Sequence, residues 1–376
     1  MKIERSLLPA LTQAIRKGGK VVMVFGSRQV GKTTLVRDAL RATGLKTFFV
    51  NADEERHNAV LASRDLATMR RLVDGYEVLF VDEAQRIENV GLGLKILHDA
   101  LPDLRIVVTG SSSLDLASKT RESLTGRTRT FHLYPLAFQE LARGRSPAQL
   151  DDLLPQALVW GLYPGIFTQS GADRTQLLRE LATSYLYRDV LEFEGVRHPR
   201  KIRDLLRLLA FQIGSEVSMN ELANTLDLGV ATVVRYVDLL EKSFVVFRLG
   251  ALSRNLRKEV SKKDKIYFWD LGVRNALIDN LSELPLRADV GQLWENFLVV
   301  ERIKKTSYLG RAPSRYFWRV YTGDEVDYIE EENGKLDGFE FKYSKTTARR
   351  PDGFLNSYPG ATFSCVSRAN WQEFAV

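Results

Sequence analysis

Two groups of residues in this 376-residue chain have the types and spacing for chemistry on phosphate. The first is Gly26-Ser27-Arg28-Gln29-Val30-Gly31-Lys32-Thr33-Thr34. It matches G-x-x-x-x-G-K-[ST], a loop whose backbone N–H groups cradle phosphates. Lys32 is placed to reach the β- and γ-phosphates of a nucleotide, and Thr33 to bind Mg²⁺. "EVLFVDEAQ" adds Asp82 as a water-mediated Mg²⁺ ligand and Glu83 as the residue that orients or deprotonates an attacking water. "LRIVVTGSSSL" offers Ser111 or Ser112 as a γ-phosphate sensor, with an ordinary turn as the competing reading. Arg127 in "ESLTGRTRTF" is a candidate charge stabiliser, in cis or from a neighbouring subunit; a surface arginine is the alternative.

The second group lies in "DEVDYIEEENGKLDGFEFK", Asp324 to Lys342. Asn333-Gly334 between two alternating runs predicts a type I′ hairpin. That register sets Asp327 opposite Glu340 and Glu325 opposite Lys342, all on one face. Val326 and Tyr328 then pair with Phe341 and Phe339 on the other. Opposed carboxylates repel, unless a divalent cation neutralises them. Asp327 and Glu340 are therefore candidate metal ligands, and Glu295 in "GQLWENFLVVERIKK" is a third. Lys342 is placed to position water or stabilise developing charge. A plain reading is a Glu325–Lys342 ion pair beside solvated acids.

A third candidate surface would bind rather than react. Ser218-x-x-Glu221 predicts a capped helix, Gly229 a short turn, and Val230–Glu241 a second helix with Val233, Val234, Val237 and Leu240 turned inward. "FVVFRL" follows as a wing would. This helix-turn-helix spacing presents Thr232, Arg235 and Lys242 to DNA. Arg254, Arg257, Lys258, Lys262 and Lys263 follow in a basic run suited to backbone phosphates. A helical module used only for packing is the alternative.

Those residues need rigid elements beneath them. Val21–Phe25 reads as a buried strand ending at the phosphate loop, with a helical pattern after it. Alternating strands and helices over residues 1–145 predict a parallel α/β domain. Residues 146–215 read as a helical connector, 216–255 as the winged helix-turn-helix, and 256–376 as aromatic strands around a helix. The chain is long enough for two or three domains.

Composition narrows the class. A net charge of +7 and a pI near 9.3 favour a polyanionic partner, nucleic acid first. No apolar run approaches a membrane span, and no signal-peptide core opens the chain. The single cysteine, Cys365, excludes an intrachain disulfide and fits a cytoplasmic setting. Four scattered histidines show no zinc spacing.

Together, "GSRQVGKTT", "VLFVDEAQ", "TGSSS", "LTGR", "YLYRDV", "IYFWDLGVRNAL", "WENF" and "GDEVDYI…FEFK" resemble one family over nearly the whole chain. It comprises bacterial and archaeal AAA-type P-loop ATPases with a C-terminal restriction-endonuclease-like domain. Glu295, Asp327 and Glu340-x-Lys342 are similar to the PD-(D/E)xK nuclease pattern, although no Pro precedes Asp327. The resemblance implies an AAA-type ATPase core, a winged helix and a nuclease-like α/β domain, with ATP and Mg²⁺ as cofactors. Arg127 acting in trans would imply a homo-oligomer, which AAA-type enzymes commonly form. Some relatives look like handlers of branched DNA such as Holliday junctions, and the resemblance extends that expectation to this chain. The expected activity is ATP hydrolysis coupled to DNA remodelling or translocation. The rivals are an ATP-regulated metal-dependent nuclease and an ATP-gated protein switch.

Overall fold

The computed structural model describes residues 3–110, 124–185, 198–252, 263–320 and 324–376. They form two compact units. One comprises residues 2–134 with 242–244, and the other 135–241 with 245–376.

In the first unit five strands form one parallel sheet: β1 (Val21–Phe25), β2 (Thr47–Asn51), β3 (Val78–Asp82), β4 (Arg105–Gly110) and β5 (Thr128–His132). Their order is β2-β3-β4-β1-β5. All five residues of β1 and of β3 are buried. Helices cover both faces of such a sheet, so central strands read as unbroken apolar runs rather than alternating ones. Val21, Met23, Leu79, Val81, Ile106 and Val108 share one core with Leu94 and Leu97 of the helix Val90–Ala100. In parallel sheets the crevice at the carboxyl ends of the strands is the usual ligand position. Here β1 ends at the phosphate loop and β3 ends at Asp82.

In the second unit seven strands form a mixed sheet: β6 (Glu216–Val217), β7 (Val246–Ala251), β8 (Asp264–Phe268), β9 (Ser314–Arg319), β10 (Glu325–Glu332), β11 (Lys335–Lys342) and β12 (Thr362–Ser367). The order is β12-β11-β10-β9-β7-β8-β6. The β7–β9 and β11–β12 pairs are parallel and the rest antiparallel. The helix Val290–Tyr308 buries Trp294 and Phe297 against Trp371.

Two expected boundaries fall elsewhere. Residues 135–145 belong with the second unit, because buried Phe138 meets Phe297 and Trp371 edge-on, each at 5.1 Å between ring centroids. A boundary at 255 would part β7 from β8, which are hydrogen-bonded along four residue pairs. The β7–β8 ribbon in turn joins β9 through Gly250 and Ala251, so 216–255 and 256–376 share one sheet.

"IYFWDLGVRNAL" serves packing. Asp270 caps the helix Leu271–Leu277, accepting from Val273 N at 3.0 Å and from Leu162 N at 2.6 Å. Asn275 donates to the carbonyls of Leu158 and Val159, both at 2.9 Å. Gly272 is required because a Cβ there would stand 2.1 Å from the Trp160 carbonyl oxygen.

Candidate functional sites in the two units

The phosphate loop is shaped by its glycines. A Cβ on Gly26 would lie 2.2 Å from the carbonyl oxygen of Leu133, on the segment after β5. Gly31 (φ 98°) sits in the left-handed region at the start of the helix Lys32–Thr43, where side-chain-bearing residues are disfavoured. Arg5 braces the loop, donating to the Val30 carbonyl at 2.9 Å and to the Tyr134 carbonyl at 2.5 Å. Nothing near Arg5 in the sequence signals that role.

Lys32 is buried, and its ammonium donates to the carbonyls of Gly26 (2.9 Å) and Ser27 (3.1 Å). It lies 3.7 Å from Glu83. Thr33 Oγ1 donates to both oxygens of Asp82, at 3.0 and 2.8 Å. Thr109, at the end of β4, also donates to Asp82 and accepts from Glu83 N at 3.0 Å. Glu83 is left-handed (φ 52°), and its carboxylate accepts from Gln85 at 2.6 Å. The structure thus brings Lys32, Thr33, Asp82 and Glu83 together. Thr109 completes the set; its signal was a hydroxyl at the C-terminal end of the strand beside β3. A hydroxyl and a carboxylate in contact form a hard-oxygen donor pair suited to Mg²⁺.

Arg127 is not at this site within the chain. Its carbonyl accepts from Val21 N at the start of β1, and its guanidinium pairs with Asp99 at 2.7 and 3.1 Å. β1 rises about 3.3 Å per residue, so Arg127 stands roughly a strand's length from the loop. Ser111 and Ser112 lie outside the described residues.

In the second unit the hairpin forms in the expected register. Tyr328 pairs with Phe339 and Glu332 with Lys335, across a turn with Asn333 at φ 54° and Gly334 at φ 77°. A bulge against β9, between Val326 and Ile329, corrects one detail. Val326 packs with Ile329, Leu336 and Phe354, not with Tyr328, which meets Phe339 and Phe341. A bulge adds one residue to one strand and so breaks the alternation that a regular ladder would keep.

Oxygens of Glu325, Asp327 and Glu340 lie within 4.8 Å of one another. Asp327 and Glu340 are buried and Glu325 is exposed. Asp327 accepts from Phe341 N at 2.9 Å. Lys342 donates to Glu340 at 2.6 Å, along its own strand. The other oxygen of Glu340, Oε2, is buried with no hydrogen-bond partner. Burial first, then the charge of Glu295, pushes the Asp327 carboxyl up to about 7. Burial and then Asp327 push Glu340 up to about 7 as well. A divalent cation would relieve both causes, and the orphaned Glu340 oxygen is consistent with a site for one.

Glu295 lines the same cleft of about 670 Å³, but other groups hold it. Its Oε1 accepts from Lys265 at 2.9 Å and from Tyr267 at 2.6 Å. The carboxylate converging with Asp327 and Glu340 is therefore Glu325. Lys265, two residues after Lys263 of the basic run, is buried on β8, with its ammonium 3.8 Å from Asp327. Strand periodicity was the available signal: alternation along β8 turns Lys265 and Tyr267 to the same side.

The two predicted helices are Met219–Leu226 and Val230–Lys242. Ser218 caps the first, accepting from Glu221 N at 3.3 Å. Asp227 turns the chain in the left-handed region (φ 50°). Val233, Val237 and Leu240 are buried, as are Tyr236 and Leu239, while Val234 is half-buried. Arg235, Lys242 and Lys263 are exposed and Thr232 half-buried. Arg254, Arg257, Lys258 and Lys262 lie outside the described residues. Among the described residues no helix is long and apolar enough to cross a membrane.

Residues 18–142 match a model described as an AAA domain. Residues 151–284 and 290–369 match two domains of unknown function, DUF8612 and DUF4143. Two similar proteins are the uncharacterized Rv2008c of Mycobacterium tuberculosis and Mb2031c of Mycobacterium bovis. Each is 33% identical over 350 residues, covering 92% of this chain and 75% of its own. A Walker-type ATPase of Pyrococcus abyssi has a similar fold, at TM-score 0.54 and 15% identity, over 73% of this chain and 96% of its own.

Proposed function

The chain belongs to the AAA-domain family of the two mycobacterial proteins, and from that premise we propose that it is a Mg²⁺-dependent ATP hydrolase that works on DNA. The contact of Thr33 with both oxygens of Asp82, beside Lys32 and Glu83, carries the hydrolase reading. Backbone N–H groups of residues 26–34 hold the phosphates. Lys32 exchanges its loop carbonyls for β- and γ-phosphate oxygens. Thr33 and, through water, Asp82 would hold Mg²⁺, which supplies charge neutralisation at the phosphates. Glu83 orients the attacking water and takes its proton, and Gln85 holds the unused carboxylate oxygen. Arg127 acts on a neighbouring protomer's nucleotide, in a homo-oligomer.

Phosphate release with and without Mg²⁺ tests this reading. Glu83→Gln should bind ATP while turnover falls about 100-fold or more, and Lys32→Ala should lose nucleotide affinity. Unchanged turnover in Glu83→Gln would remove the assigned role.

For DNA, the support is the helix pair with its αL turn, the exposed Arg235, Lys242 and Lys263, and the net charge of +7. We read the two helices Met219–Leu226 and Val230–Lys242 with the strand β7 as a winged helix-turn-helix, with Thr232 and Arg235 toward the groove. Phosphate contacts predict a steep loss of duplex affinity between low and moderate salt. Affinity independent of salt would favour a protein-binding switch instead.

A second reading has its own observation, the unpartnered Glu340 oxygen among three converging carboxylates. In that reading the second unit is nuclease-like. Glu325, Asp327 and Glu340 would hold a divalent ion that polarises a phosphodiester, and Lys342 stabilises developing charge. Linear, single-stranded and four-way DNA left intact with Mg²⁺ and Mn²⁺ would exclude cleavage.

A further inference from the structure

We propose that the loop Tyr343–Thr346 and the turn Ser367–Ala369 form a phosphate cradle that extends the carboxylate cleft along a DNA strand. It rests on the reading that this protein binds DNA. The parallel pairing of β11 with β12 sets Lys342 beside Ser367, so both segments leave the sheet side by side. They enclose a groove of about 430 Å³ lined by Tyr343, Ser344, Lys345, Thr346, Ser367 and Arg368. Tyr343, Ser344 and Lys345 also line the carboxylate cleft, so the two concavities adjoin along this loop.

The charges in this groove are unbalanced. Lys345 and Arg368 are exposed, and neither forms an ion pair with a described carboxylate. Other cations nearby are paired: Lys342 with Glu340 at 2.6 Å, Arg349 with Asp324 at 3.7 Å and Arg350 with Asp352 at 3.3 Å. Arg368 lies 5.5 Å over the Tyr343 ring, which itself packs edge-on against buried Trp294 at 5.6 Å. The aromatic face holds the guanidinium in place, with N–H groups left to donate. The hydroxyls of Ser344 and Thr346 are exposed beside it. Two unpaired cations and two hydroxyls, with no acid among the lining residues, recognise phosphate oxygens.

Spacing favours a polymer over a single anion. Lys345 follows Lys342 by three residues, at most about 10 Å of chain. At 3.4 Å of helix-axis rise per strand step, that is no more than about three nucleotide steps. A strand with one phosphate in the carboxylate cleft therefore places another at Lys345 and Arg368.

The test uses the full chain carrying Lys345→Ala and Arg368→Ala together, with fluorescein-labelled duplex binding measured from low to moderate salt. Both side chains are exposed, and an unchanged melting temperature verifies the fold. Removing two phosphate contacts should lower the slope of log affinity against log salt by about 2 and weaken binding at low salt about tenfold or more. Arg368→Lys should restore part of the slope. If wild-type protein binds the duplex and the double variant matches it in affinity and slope, the cradle is wrong and the DNA reading stands. If wild-type protein binds no DNA, both are overturned.

Discussion

Asp289 illustrates how one side chain ties stability to pH. Burial alone would raise its carboxyl, but hydrogen bonds from Arg287 and Arg274 outweigh burial and hold it down at about 2, against an ordinary 3.8. Arg287 donates to it at 2.9 and 2.8 Å. A depressed carboxyl stabilises the fold above its unfolded value, and that stability is lost as pH falls through its folded value. Asp289→Asn should therefore cost about 2 kcal/mol near neutral pH, at about 1.4 kcal/mol per pKa unit. The gap from wild type should close between about pH 4 and pH 2. Chemical denaturation of both proteins across that range checks it; a gap independent of pH would show that the ion pairs contribute no linkage. Thr109 makes a second case. Thr109→Val keeps its shape but removes the donor to Asp82 and the acceptor for Glu83 N. Turnover should drop about tenfold or more with ATP affinity nearly kept, since the change loosens Glu83 rather than the phosphate loop. Single-turnover hydrolysis and nucleotide titration separate the two effects.

At the scale of elements, two turns set the sites. Gly26 lets β1 pass into the phosphate loop beneath the Leu133 carbonyl. Gly26→Ala forces that backbone apart, so nucleotide affinity should fall more than global stability; equal affinity in a titration would mean the loop relaxes freely. Gly334 (φ 77°) closes the β10–β11 hairpin with open space around it. Gly334→Val should cost about 1–2 kcal/mol through the left-handed conformation alone. Thermal melting would show it, and a neutral result would mean that the turn changes type.

For the whole molecule, the division between units makes a claim about truncation. A chain starting at 146 lacks Phe138, whose ring is fully buried against Phe297 and Trp371. It also lacks the Phe138 N–H that donates to Glu301 at 2.6 Å, which leaves that buried carboxylate with its Lys304 partner at 2.7 Å alone. Relative to a chain starting at 135, it should be less stable by about 3–5 kcal/mol, the usual cost of losing a buried Phe. Equal melting temperatures would return the boundary to 145.

Much of both sites was legible because it depends on local spacing. The glycines, Lys32 and Thr33 lie on one loop, and Asp82 and Glu83 end one apolar run. Asn333-Gly334 fixes its own hairpin register, because the turn geometry admits few residues. Charge, helix caps and strand periodicity are likewise carried by neighbours in sequence. Contacts between distant segments were decided by packing. Thr109 joins Asp82 because β4 lies beside β3, and Arg5 reaches Val30 across 25 residues. Lys265 and Tyr267 capture Glu295, and a bulge against β9 sends Val326 to another core. Which carboxylates converge follows from strand order and one extra residue in a ladder, quantities set by the free energy of the whole sheet rather than by any short stretch of chain.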